Sequence, residues 1–309
     1  MQSRLLLLLA VIGLSAVGAT CKGQAPETPP QRTEPAPAAA PSAPAITELQ
    51  GVELTRVPAA SRGDALRILN ESFCYCGGCT RTVASCLANR SSCSCEACSD
   101  RMAEHVIAAF EAGASTAQVE SQAVELFSEA YNAAPHDFDV SAQGVLGPAD
   151  APHTLVEFAD FKCPHCRSAF GELVEFVKSR DDVKLAYFFF PLSGFGEESI
   201  QAARAAEAAR LQGKFWEMAT LLYQSSQTFD EPTLLGFAQR LGLDLDRFQA
   251  DLAGDAVASA VLADKNIGGE VGVMATPTIF LDGRPLGLPH SPDNLALRIA
   301  MEDDRNACH

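Results

Sequence analysis

Apolar side chains recur three and four residues apart through the first folded stretch of the chain. Further on they gather into short, nearly continuous blocks. That change of period separates a helical region from a mixed one. In the helical region, residues 61–69 put Ala65, Leu66 and Leu69 on one face, and Met102, Val106, Ile107 and Phe110 repeat at helical spacing. Gly113 ends that second run. Ser115 then caps a third helix whose apolar set is Val119, Val124, Leu126 and Phe127. Gly144, Gly147 and Pro148 punctuate a connecting passage over residues 135–150.

The mixed pattern follows. Residues 154–158 predict a strand and residues 167–178 a helix, with Cys166, Phe170, Leu173, Val174 and Val177 on one face. Residues 183–190 are apolar almost throughout, as in a strand buried on both sides. Helical patterning runs from 199 to about 263, broken at Gly213, Pro232 and Gly242. Residues 278–281 predict another strand, and Asp282-Gly283 a tight turn. Ser291 as cap and Pro292 at the first helical position open a final helix. The class is α/β, preceded by a small, mainly α region over 47–134.

Composition adds a compartment. Formal charge is −16 and no Lys/Arg run offsets it, so nucleic acid is not an expected partner. With 47% hydrophobic residues, the chain has ample material for a core. Arg4 precedes an apolar run over residues 5–14, too short to span a bilayer, and small residues follow to Thr20. Residues 1–21 are therefore expected to act as an export signal. Gly18-Ala19-Thr20-Cys21 resembles the bacterial lipoprotein cleavage site, although Gly18 and Thr20 depart from its usual residues; cleavage after Ala16-Val17-Gly18 is the competing expectation. A lipid on Cys21 would anchor the chain to a membrane. Residues 22–46, rich in Pro and Ala, read as an extended spacer of about 3 Å per residue. In an exported chain of the cell envelope or periplasm, eleven cysteines point to disulfides.

The chemistry centres on Cys163-Pro164-His165-Cys166. A C-x-x-C pair at a helix start is a redox site for electrostatic reasons. Helix-terminal N–H groups and the macrodipole favour negative charge on Cys163, and Cys166 lies within disulfide reach one turn on. Pro164 occupies a position that needs no backbone donor. His165 and Lys162 add positive charge on either side, making Cys163 a better leaving group and the disulfide more oxidising. A second Cys or His pair for zinc is absent from this region, and Arg167 stands where haem attachment needs His. No cofactor is expected beyond the redox-active pair.

Residues 154–166, from Thr154-Leu155-Val156-Glu157-Phe158 to the C-x-x-C, resemble the active-site strand of DsbA-type thiol–disulfide oxidoreductases of the thioredoxin superfamily. Residues 202–206 and 213–218 resemble the helical insertion of that family, and residues 272–280 its cis-proline loop. The resemblance implies a thioredoxin fold over 140–305 with an inserted helical subdomain at about 197–265. It further implies that Cys163 is the exposed attacking sulfur and Cys166 the buried resolving one. Pro277 would face the disulfide, and the Thr276 main chain would pair with an extended substrate. Glu157 matches a buried acid that relays the Cys166 proton. Asp160 is near the site, but a solvated loop residue is an equal reading. Thr before the cis-proline is typical of isomerase and reductase branches and Pro-His of the oxidase, so the direction of electron flow stays open.

Cys74, Cys76, Cys79, Cys86, Cys93, Cys95 and Cys98 repeat C-x-C-x-x-C twice, with Cys86 between. Disulfide staples for a small core, a zinc site and a redox relay are the three readings. Disulfides are the expectation, with Cys308 making the number even. Leu66-Arg67 with the helices over 102–131 resembles the hairpin of CcmH-type cytochrome c maturation proteins, which carry one C-x-x-C where this chain has seven cysteines. The expected partners are cysteine-bearing protein substrates and an unidentified redox protein. The rival functions are an envelope reductase or isomerase, including one that serves cytochrome c maturation, and a non-catalytic binding or chaperone module on the same scaffold.

Overall fold

The computed structural model describes residues 46–47, 49–75, 81–93, 96–127 and 134–307. The expected leader, Cys21 and the spacer up to residue 45 lie outside them, as do Cys76, Cys79, Cys95 and Cys308.

The helical region comprises α1 (Arg62–Glu71), α2 (Val83–Ala88), α3 (Glu96–Glu111) and α4 (Thr116–Phe127). Ala65, Leu69, Met102, Val106, Phe110 and Val119 meet in one core. Ser115 and Gln118 bond reciprocally at the start of α4, each side chain meeting the other's backbone N–H, at 3.4 and 2.9 Å. Val124, expected in the apolar set of α4, is 68% exposed. It stands five residues beyond Val119, well off the buried face of a helix turning 100° per residue.

A five-stranded sheet follows, in the order β1-β3-β2-β4-β5. β1 is Gly144–Leu146, β2 is His153–Ala159 and α5 is Pro164–Lys178; β3 is Val183–Phe189. Five helices come next: α6 (Glu197–Arg210), α7 (Phe215–Gln224), α8 (Glu231–Arg240), α9 (Leu245–Ala253) and α10 (Asp255–Glu270). β4 (Thr278–Leu281), β5 (Arg284–Pro285) and α11 (Pro292–Ala307) complete the described fold. β2 and β3 are parallel and the other pairings antiparallel. Asp282 (φ 47°) and Gly283 (φ 80°) form the turn between β4 and β5, and two successive positive φ values suit Asp-Gly.

β1 was not expected: its glycines read as linker punctuation. A side chain at Gly144 would run into the Phe215 ring, so glycine there serves close approach of strand and helix. One face of the sheet packs Leu155, Leu185 and Ile279 against Leu173 and Val177 of α5 and Ile299 of α11. The opposite face carries Val156, Phe158, Ala186 and Phe188, closed by Phe138 and Ile267. α11 also reaches the helical region, where Met301 enters the core built by α1 to α4. Buried Arg298 of α11 donates to the Leu126 carbonyl of α4 at 2.9 Å, and the Tyr75 hydroxyl donates to Asp304 at 2.7 Å. Among the described residues no helix is long and apolar enough to cross a membrane.

Candidate active site

The loop after β2 delivers Cys163 to the N-cap of α5, with Pro164 in the first helical turn. The Cys163 N–H donates to the Asp160 carbonyl at 3.0 Å, which closes a tight turn ahead of the helix. Cys166 points inward and is 0% exposed. Cys163 and Cys166 are both thiols here. Cys163, expected to be exposed, is only 4% so. The loop carrying the cis Thr276–Pro277 bond lies across it, and the Cys163 thiol donates to the Thr276 carbonyl at 3.3 Å. Pro277 continues into a groove lined by Thr278, Ile279, Pro285, Leu286 and His290. Met274, two residues before Thr276, is 90% exposed.

Behind Cys166 lies Glu157 on β2. It is fully buried, both carboxylate oxygens lack a hydrogen-bond partner, and burial pushes its pKa up to about 8. A carboxyl with that value is mostly protonated at neutral pH. Burial also raises the Cys166 thiol, and Glu157, when ionised, adds to the shift; the Asp160 main chain partly offsets it. Tyr187, in register with Glu157 on β3, shares a hydrogen bond of 2.9 Å with the Tyr223 hydroxyl of α7. Phe161 stacks on Tyr187 with 5.1 Å between ring centroids and packs against Tyr223 at 4.9 Å. These rings seal the inner side of the dithiol against water.

Two expected sources of positive charge behave differently. His165 is solvent-facing on the first turn of α5. Lys162, expected to support the Cys163 thiolate, instead pairs with Glu198 of α6 at 2.6 Å and lies over the Phe229 ring. A charge already matched by a carboxylate has less field to offer its neighbour. Asp160, for which a solvated loop position was an equal reading, is 2% exposed and fully engaged. Its carboxylate accepts from the Lys162 N–H at 2.8 Å, the Leu192 N–H at 2.7 Å and the Ser199 hydroxyl at 2.8 Å. Nothing local in the sequence marks those last two partners, which lie more than thirty residues away. Tyr187 and Tyr223 were missed for the same reason: one lies in an apolar strand and the other in a helical stretch, with no local sign that they pair.

The described cysteines of the dense stretch belong to the core of the helical region, not to the core that holds Cys163 and Cys166. Cys86 and Cys93 form a disulfide, and the Cys74 sulfur lies 4.0 Å from that of Cys86. Cys98 is buried on α3. Among the described residues no group of three or more His, Cys, Asp or Glu side chains is disposed to hold a metal ion.

The family model described as Thioredoxin matches residues 139–300. The chain belongs to the thioredoxin family. Helices α6 to α10 are inserted between β3 and β4 of that fold. This thioredoxin-family chain is similar to a thioredoxin-like oxidoreductase from Silicibacter pomeroyi DSS-3, with 30% identity, a TM-score of 0.48, and coverage of 55% of this chain and 99% of that one. It is similar also to oxidised BdbD from Bacillus subtilis, with 25% identity, a TM-score of 0.48, and coverage of 56% and 98%. Among curated sequences it is 38% identical over 157 residues to the Na(+)/H(+) antiporter NhaA 3 of Salinispora tropica, covering 51% of this chain and 24% of that protein. The chain thus spans about a quarter of the length of the curated relatives it matches.

Proposed function

We propose that this chain exchanges disulfides with cysteines of exported proteins through Cys163 and Cys166. The observation that carries the reading is a pair of sulfurs at a helix N-terminus with an unpartnered, buried carboxyl behind the inner one. In the oxidised protein a substrate thiolate attacks the Cys163 sulfur. The Cys163–Cys166 bond breaks, its electron pair goes to Cys166, and protonated Glu157 supplies the proton that a buried thiolate needs. A second substrate thiolate then attacks the substrate sulfur of the mixed disulfide and expels Cys163. The substrate leaves oxidised and the pair is left as two thiols. Run backwards, the same steps reduce a substrate disulfide, with Glu157 accepting the Cys166 proton.

Thr276 ahead of Pro277 supports the reductase or isomerase direction, whereas Pro164-His165 supports the oxidase. The reduction potential of the Cys163–Cys166 pair decides between them, together with paired assays of reduced ribonuclease oxidation and insulin reduction. Absence of both activities in a protein with an intact pair would favour the binding-module reading. Export, with Cys21 as a lipid anchor, belongs to the same proposal and is tested by palmitate labelling that Cys21→Ala abolishes.

A further inference from the structure

Resting on the oxidoreductase reading above, we propose that Asp160 is a positioning residue of the dithiol site. Its carboxylate locks the loop whose main chain meets both reacting cysteines and fastens that loop to the helical insertion.

The main chain of Asp160 works on two sides. Its carbonyl accepts from the Cys163 N–H at 3.0 Å, and the same main chain works to lower the Cys166 thiol against the larger effect of burial. Four residues on, the loop becomes α5, so a small rotation of this peptide would misdirect both contacts. The side chain prevents such a rotation. Its three donors come from three places: Lys162 in the loop itself, Leu192 after β3, and Ser199 on α6. The neighbouring Lys162–Glu198 pair makes a second tie to α6. A buried carboxylate with this donor set is an anchor, and it is anchored to the first helix of the insertion.

The chemical consequence falls on resolution. When Cys163 carries a mixed disulfide, the Cys166 thiol gives its proton to Glu157 in its ionised form, the minority at neutral pH. Its sulfur then attacks the Cys163 sulfur, and the partner leaves as a thiolate. The Asp160 main chain stabilises the Cys166 anion only while the loop holds it in line. Asp160→Asn keeps the size and one acceptor but places an N–H₂ where one of the three donors now points. Ser199→Ala removes only the tie to α6, and Ser199→Thr keeps the hydroxyl.

The test follows glutathione release from a preformed Cys163–glutathione mixed disulfide of the full chain, as a function of pH. For Asp160→Asn we expect release at pH 7 to slow by about tenfold or more, with the midpoint of the pH–rate curve moving upward by about one unit. Ser199→Ala should shift the same way by less, and Ser199→Thr should restore the wild-type curve. An unchanged midpoint in folded Asp160→Asn overturns the proposal, as does slowing that is equal at every pH, which marks mere loosening. If Asp160→Asn does not fold, the Ser199 pair decides: an unshifted Ser199→Ala curve overturns the proposal. A wild type that forms the mixed disulfide but never releases glutathione overturns the exchange reading itself, and this proposal with it.

Discussion

Replacing Glu157 with Gln should stabilise the dithiol form at neutral pH, because the fold suppresses the ionisation of that carboxyl. Its pKa is about 8 in the fold, against an ordinary value of 4.5. Between those values the folded chain holds a proton that the unfolded chain releases. The raised value means that stability is fully present below pH 4.5 and is lost as pH rises through about 8. Linkage over that window makes the wild type roughly 3 kcal/mol less stable at pH 7 than a side chain of the same shape that cannot ionise. Gln is equally unpartnered there, so its own burial cost largely cancels against that of protonated Glu. Urea unfolding of the reduced proteins at pH 5, 7 and 8 should give curves that nearly coincide at pH 5 and separate as pH rises. The same substitution should slow glutathione release by about a hundredfold, the usual scale for a lost general acid–base group. Parallel stability curves across the whole range would refute the reasoning, since they would mean that Glu157 ionises in the fold as it does in water.

Other outcomes follow from the same geometry. Cys163→Ser should abolish exchange, whereas Cys166→Ser should trap mixed disulfides visible on non-reducing gels; the reverse pattern would exchange their roles. His153, buried at the start of β2, is held above its ordinary pKa first by its 2.7 Å hydrogen bond to Asp282 and more weakly by Asp303, with burial opposing. Its contribution should be full below about pH 6.5 and fade as pH rises through the raised value; a thermal-shift gap between wild type and His153→Asn that grows with pH would contradict this. Non-reducing peptide mapping should recover Cys86 linked to Cys93. Opening that short loop with Cys93→Ser should cost about 2–3 kcal/mol in denaturant unfolding, and an unchanged midpoint would show that the bond is not formed.

Much of the scaffold was legible because its signals are local. The strand before Cys163, the helix after it and the Asp-Gly turn all announce themselves within a few residues. So do Gly213 and Gly242, which lie between helices of the insertion, whereas Pro232, read as a break, sits in the first turn of α8. β1 and β5 were not legible: three and two residues are too short to show a period of two. α2 was hidden among cysteines whose spacing drew the reading toward metal or disulfide chemistry. At the site, Cys163 and Cys166 carry a motif, and Glu157 was found through its place in a resembling strand. Asp160 and the Tyr187–Tyr223 pair depend on partners brought together only by the fold. Lys162 shows the converse error: its charge was read correctly, but Glu198 claims it from a distant helix.

α11 has a consequence for how the molecule comes apart. Its Ile299 closes the sheet core and its Met301 the helical core, while Arg298 holds the end of α4. One turn of one helix is thus a keystone common to two vaults. Loosening either region removes packing from the other, so the two should melt in a single cooperative transition. A protease that cuts within 298–304 should release both cores at once, and a chain shortened to residue 300, where the thioredoxin match ends, should leave the helical core open at Met301.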